Sequence, residues 1–229
     1  MLPDGSWASG EVRTARLGFD PAASSHFHVV EYVEDEYEYI TGVDIYSSKT
    51  GSWSSSESEW SDNAMLCDGS RSVFLNGIMH SLVLRNEIVA VDMEGKRWRT
   101  IPRPPSDEFG FIRQAHGHLL YFDMDQNEAN KLSVWILEDY STDKWTVKYK
   151  ISTLGLFGGK KLRFDFDYQV IAVHPECNLV FFVYGWDNTL MAYEMDRREV
   201  RVIRNLGHDS NGPYLPYVPF FSDSLAEEH

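Results

Sequence analysis

Two His-x-His pairs, His26/His28 and His116/His118, have the first spacing in this chain that suggests chemistry. On a strand, residues two apart share a face, so each pair could offer two imidazoles to one metal. Zinc needs further ligands, and no Cys/His cluster at ligand spacing accompanies either pair. His116-Gly117-His118 reads instead as a hairpin turn, and the expectation is that no metal is bound.

Carboxylates are the next candidates. Glu34/Asp35/Glu36, Asp107/Glu108, Asp123/Asp125 and Asp165/Asp167 are all closely spaced acids. Paired acids carry out glycoside hydrolysis, but these fall at expected loop tips, where a solvated face is the ordinary outcome. Asp123-Met124-Asp125-Gln126-Asn127-Glu128 faintly resembles a calcium loop, without the required glycine or the distant bidentate glutamate. No Gly-x-Ser-x-Gly elbow is present, and Gly155-Leu156-Phe157-Gly158-Gly159-Lys160-Lys161 lacks phosphate-loop spacing, so it reads as a connector. No catalytic residue and no cofactor site is expected.

Composition narrows the partners. The 229 residues carry a net charge of −14, which repels phosphate backbones and anionic membrane surfaces. No nucleic acid and no membrane is therefore expected. Cys67 and Cys177 are too far apart for a metal knuckle and too few for a disulfide framework. Both read as reduced thiols, which points to the cytoplasm or nucleus.

The elements that must position these residues read as strands throughout. A β-rich segment runs to a tight polar turn and then a tryptophan, at Ile45–Trp53, Val91–Trp98 and Ile136–Trp145. Ala192–Val200 repeats the plan with Val200 in the indole's place. A strand-built period of roughly 40–50 residues is the mark of propeller blades. Asn76-Gly77 between apolar runs is a strong hairpin signal, and His116-Gly117 stands in the same place one unit later. Pro102-Arg103-Pro104-Pro105 breaks a strand and reads as a link between units, while Ser54 to Asn63 reads as a serine-rich loop. The fold class expected is all-β, propeller-like, with about four four-stranded antiparallel blades. Two closures stay open: a small ring, or the C-terminal part of a larger one. The expected division is a frayed segment over 1–16, the domain over 17–225 and a tail over 226–229.

Trp53, Trp98 and Trp145 are taken as the repeat's packing anchors. Trp60 and Trp186 fall outside the repeat register. They are the candidates for contact with another protein, because indoles dominate interface hot spots. Packing between blades is the other reading for each.

The stretch from Leu17 to Leu225 resembles the F-box-associated domain of plant F-box proteins. The resemblance is carried by Leu17-Gly18-Phe19-Asp20-Pro21, Val43-Asp44-Ile45-Tyr46-Ser47-Ser48-Lys49-Thr50-Gly51-Ser52-Trp53, Val73-Phe74-Leu75-Asn76-Gly77-Ile78-Met79-His80 and Ile88-Val89-Ala90-Val91-Asp92. Leu132-Ser133-Val134-Trp135-Ile136-Leu137-Glu138-Asp139-Tyr140 and Val170-Ile171-Ala172-Val173-His174-Pro175 are similar to the large grass subfamily in particular. The resemblance implies a kelch-like propeller that captures target proteins for a cullin-type ubiquitin ligase. Nothing before Leu17 has the Leu/Pro-rich helical pattern of an F-box. The expectation is a shortened member, which would meet the ligase adaptor only if an F-box lies upstream. The alternatives are a carbohydrate-active propeller using loop carboxylates, and a non-functional fragment.

Overall fold

The second sheet shows most directly how this sequence makes strands. Glu87-Ile88-Val89-Ala90-Val91-Asp92 is a continuous apolar run between polar ends, and continuity of that kind means burial on both faces. In the computed structural model it is strand β7 of sixteen among the described residues: β1 (Thr14–Gly18), β2 (His28–Glu34), β3 (Ile40–Ser47), β4 (Ser52–Glu57), β5 (Val73–Leu75), β6 (Ile78–Val83), β7 (Glu87–Asp92), β8 (Trp98–Pro102), β9 (Gly110–Ala115), β10 (His118–Asp125), β11 (Lys131–Asp139), β12 (Lys144–Ser152), β13 (Tyr168–Val173), β14 (Leu179–Tyr184), β15 (Thr189–Glu194) and β16 (Glu199–Asn205). A single helical turn, α1 (Thr153–Leu156), follows β12. The structure describes residues 14–21, 23–58, 60, 64–67, 72–105, 110–125, 131–160, 162, 167–174 and 176–208. Asp107/Glu108, Asp165 and the stretches expected to form the N-terminal fray and the C-terminal tail lie wholly or largely outside these residues.

The strands form four four-stranded sheets, each a simple antiparallel meander in chain order: β1 to β4, β5 to β8, β9 to β12 and β13 to β16. The fold is all-β with four blades. The hairpins follow from their turn residues. Asn76 and Gly77 sit at φ 52° and 76°, and His116 and Gly117 at 52° and 72°. Both central positions are left-handed, as a type I′ turn requires.

The chain divides into two compact units. The first holds the blades built from β1 to β12, and the second holds the blade built from β13 to β16. Within the first unit the cores lie between consecutive sheets. Val30, Tyr32, Val43 and Ile45 of the first sheet pack with Met79, Val83, Val89 and Val91 of the second. Leu82, Ile88 and Ile101 on the second sheet's other face pack with Ile112, Leu119, Tyr121 and Leu137 of the third. Ile88 and Val89 are adjacent in β7 yet belong to different cores, which accounts for the unbroken apolar run. In the second unit, Tyr168, Val180, Phe182, Met191 and Tyr193 are buried.

Two expectations about loops are corrected. Ser54 to Glu57, read as loop, completes β4, with Val43 opposite Ser56 and Ile45 opposite Ser54. An outermost strand needs ladder partners but no apolar face, so serine suffices there. Gly42 makes room for it: a Cβ at that position would lie 2.6 Å from the Ser56 carbonyl oxygen. Asp123, read as the start of an acidic tip, is instead a buried residue inside β10.

Candidate interaction site

The repeat tryptophans occupy one ladder position. Each stands at the start of its blade's fourth strand, opposite the end of the third: Tyr46 faces Trp53, Val91 faces Trp98 and Leu137 faces Trp145. Tyr193 faces Val200 in the same way. The third strand ends on an acceptor that organises the turn between them. Ser47 Oγ accepts from the Lys49 amide at 3.3 Å. Asp92 accepts from the Lys96 amide and the Arg97 guanidinium, each at 2.9 Å. Desolvation pushes the Asp92 pKa up, and the hydrogen bonds from Lys96, Arg97 and Glu94 together overcome it, leaving the pKa lowered. Asp139 accepts from Ser141 and Thr142, which hold its pKa down to about 2.

The three indoles are half-buried, and Trp98 and Trp145 sit at the margins of the cores. Trp98 flanks the first core, with its Nε1 donating to the Gly95 carbonyl at 2.9 Å. Trp145 flanks the second, donating to the Pro102 carbonyl at 2.9 Å. Trp53 lies against Tyr46, with ring centroids 5.4 Å apart. The centres are filled largely by aliphatic and tyrosine side chains of the inner strands, with Ile101 of β8 the outer-strand member of the second core.

Two chains of polar groups cross between blades. Tyr32 Oη and Ser81 Oγ lie 2.6 Å apart, Ser81 and Ser72 another 2.6 Å, and Arg16 Nε donates to Ser72 at 3.0 Å. Burial pushes the Tyr32 phenol up to about 12, so it stays a neutral hydrogen-bonding group. Between the second and third sheets, His80 Nδ1 lies 3.2 Å from the Val73 carbonyl and Nε2 lies 3.1 Å from Tyr140 Oη. A carbonyl only accepts, so Nδ1 carries the proton and Nε2 accepts from the tyrosine. The Arg99 guanidinium lies over the Tyr140 ring at 4.6 Å and pairs with Asp143 at 2.6 Å. Burial lowers the His80 pKa to about 4.

The histidine and carboxylate candidates are placed separately. His26 is exposed, and His28 is half-buried with its pKa lowered by burial and then by His26. His116 occupies the hairpin turn, and His118 begins β10. Among the described residues, no group of three or more His, Cys, Asp or Glu is placed to share a metal ion. Asp35 caps its own loop, accepting from the Tyr37 and Tyr39 amides at 2.9 and 3.0 Å. The structure brings together one acidic pair that sequence reasoning missed. Glu31 and Asp44 face each other across β2 and β3, and both are buried. Two acids in separate strands give no sequence signal until the register is known.

The two out-of-register tryptophans part company. Trp60, a contact candidate, is only 8% exposed. It packs edge-on against Trp98 at 4.6 Å, lies 6.3 Å from Tyr32, and its Nε1 donates to the Arg99 carbonyl at 3.1 Å. Its burial removes it as a contact residue and places it in the packing between the first two sheets.

Trp186 is 87% exposed. It sits in the four-residue turn Gly185–Asn188 between β14 and β15, where Gly185 and Asn188 take φ 77° and 50°. The chain leaving β16 braces this turn. The Gly207 amide donates to the Asp187 carbonyl at 3.0 Å, and the Leu206 amide donates to the Asn188 carbonyl at 3.2 Å. Asn188 Nδ2 donates to the Gly207 carbonyl at 2.9 Å. Asp187 accepts from Thr189 Oγ1 at 3.0 Å and also from Asn205. His208 Nδ1 lies 2.9 Å from the Trp186 carbonyl, and the two rings are 5.6 Å apart. An amphipathic ring held out on a braced turn gives contact area at low ordering cost.

Among the described residues no helix is long and apolar enough to cross a membrane. No curated protein matches the chain. A family model described as "F-box protein At3g26010-like, beta-propeller" matches residues 22–215, most of the molecule and all four sheets apart from β1. Repeat, blade topology and family match agree, and the chain belongs to the F-box protein At3g26010-like β-propeller family.

Proposed function

We infer that this chain is a protein-binding module that holds a target for a cullin-type ubiquitin ligase, and that it acts as the substrate-receptor part when joined to an F-box. Family membership supports the module, and Trp186 on its braced turn is the observation that carries the reading. A target would seat the indole and be oriented by charged groups around it. The chain works by recognition, with no catalytic residue of its own, in the cytoplasm or nucleus of a plant cell. Joining a ligase requires an F-box in the same polypeptide.

Affinity capture from plant extract tests this, with the intact chain and a Trp186→Ala variant as baits. Both baits melt cooperatively, because an exposed side chain contributes little to folding. The intact chain retains specific proteins. The variant retains them at least about tenfold less well, as loss of a hot-spot indole predicts. A folded intact bait that captures nothing removes the reading.

A further inference from the structure

The outer edge of the fourth sheet differs from the other three. Outermost strands carry unpaired backbone groups and are ordinarily blunted against pairing. β4 is Ser-Trp-Ser-Ser-Ser-Glu, a polar strand. β8 is short and ends in Pro102. β12 carries Lys144, Lys148 and Lys150 and two register shifts. β16 is Glu199-Val200-Arg201-Val202-Ile203-Arg204-Asn205, with every residue exposed and a single bulge at Ile203. Val200, Val202 and Ile203 are 41%, 61% and 44% exposed. Arg197 pairs with Glu194 at 3.4 Å. Among the described residues Arg201 and Arg204 have no carboxylate partner. The strand runs directly into the segment that braces the Trp186 turn, so the aliphatic edge ends at an exposed indole.

We propose that β16 is a strand-addition site for an extended segment of the target protein in which carboxylates alternate with aliphatic residues. The segment adds a fifth strand to this sheet. Its backbone pairs with the outward N–H and C=O groups of Glu199 to Val202. Its aliphatic side chains cover Val200 and Val202, which share a face, and its carboxylates meet Arg201 and Arg204. One end rests on Trp186. Charge selects this occupant. The basic edge lies on a chain of net charge −14, and at physiological salt screening leaves the nearby arginines to dominate. A second copy fits less well, because its own β16 offers one carboxylate, Glu199, against two arginines.

The inference rests on the binding-module reading, and the experiment separates the two. A fluorescent short peptide of alternating glutamate and valine, its lysine–valine counterpart, and glutamate–valine peptides N-methylated at alternate residues in either register are titrated against the full chain by anisotropy. The glutamate peptide binds more tightly than the lysine peptide, and methylation in one register abolishes binding. The double variant Arg201→Glu/Arg204→Glu weakens glutamate-peptide binding about tenfold or more, the worth of two exposed charge contacts. The methylated peptides need no variant, so the test holds even if the double variant misfolds. No binding of the glutamate peptide, equal binding of all peptides, or a folded double variant that binds it unchanged overturns the proposal. If the double variant still captures the same proteins from extract at full strength, the edge is not the docking site, while the module reading stands.

Discussion

His80 shows what burial does to a single titratable group. Its imidazole is buried between two sheets with both nitrogens engaged, and burial lowers its pKa from 6.5 to about 4. The unfolded chain therefore takes up a proton below pH 6.5, before the folded one does. This group's contribution to stability is whole above 6.5 and is lost as pH falls toward 4. The loss over that window amounts to roughly 3 kcal/mol. A His80→Gln variant lacks this dependence, so its stability deficit relative to the parent shrinks by about that much between pH 7 and pH 4. Urea unfolding at several pH values reads the deficit, and a constant gap would contradict the placement of His80. Trp60 and Trp186 mark the limit of sequence reading at this scale. Each is an indole outside the repeat register. What buries Trp60 is a carbonyl at Arg99 and a ring at Trp98, both far along the chain. Local sequence does not encode that meeting, whereas the turn residues around Trp186 do mark an exposed bend.

Strands differ in stability according to their place in the blade. β7 serves two cores, so removing the Ile88 side chain leaves a cavity on a packed face. Ile88→Ala should cost about 2–5 kcal/mol. Val202→Ala, on the open edge, should stay within about 0.5 kcal/mol. Denaturant midpoints for the two variants settle this, and similar costs would mean that the edge is covered in solution. Inner strands were legible because two-sided burial writes itself as an apolar run, and the hairpins because Asn76-Gly77 and His116-Gly117 need left-handed backbone. The outer strand β4 was only half legible. Its serines have no apolar periodicity, and only the ladder to β3 makes them strand. The buried Asp123 was missed for a related reason, since a run of acids looks like a tip unless the partner strand is known.

Charge belongs to the molecule as a whole. A net −14 on one chain of 229 residues produces self-repulsion in the compact state. Stability should rise as sodium chloride is added up to about 0.15 M, where the screening length falls to about 8 Å. Urea midpoints across that range measure it, and a midpoint that falls with salt would show specific ion pairs outweighing repulsion. The exposed ion pairs do not suggest that outcome. Lys96–Glu94 and Lys144–Glu138 are largely exposed and contribute little.

The edge-on contact of Trp60 with Trp98 gives the first two blades an optical signature. Two indoles at 4.6 Å and an interplanar angle of 80° have transition dipoles close and oblique enough to couple. That coupling should appear as a paired positive and negative band in the circular dichroism of the native protein and vanish in Trp98→Phe. Because the pair spans the packing between the two sheets, the band's loss on heating reports their separation, independently of any melting of the strands themselves.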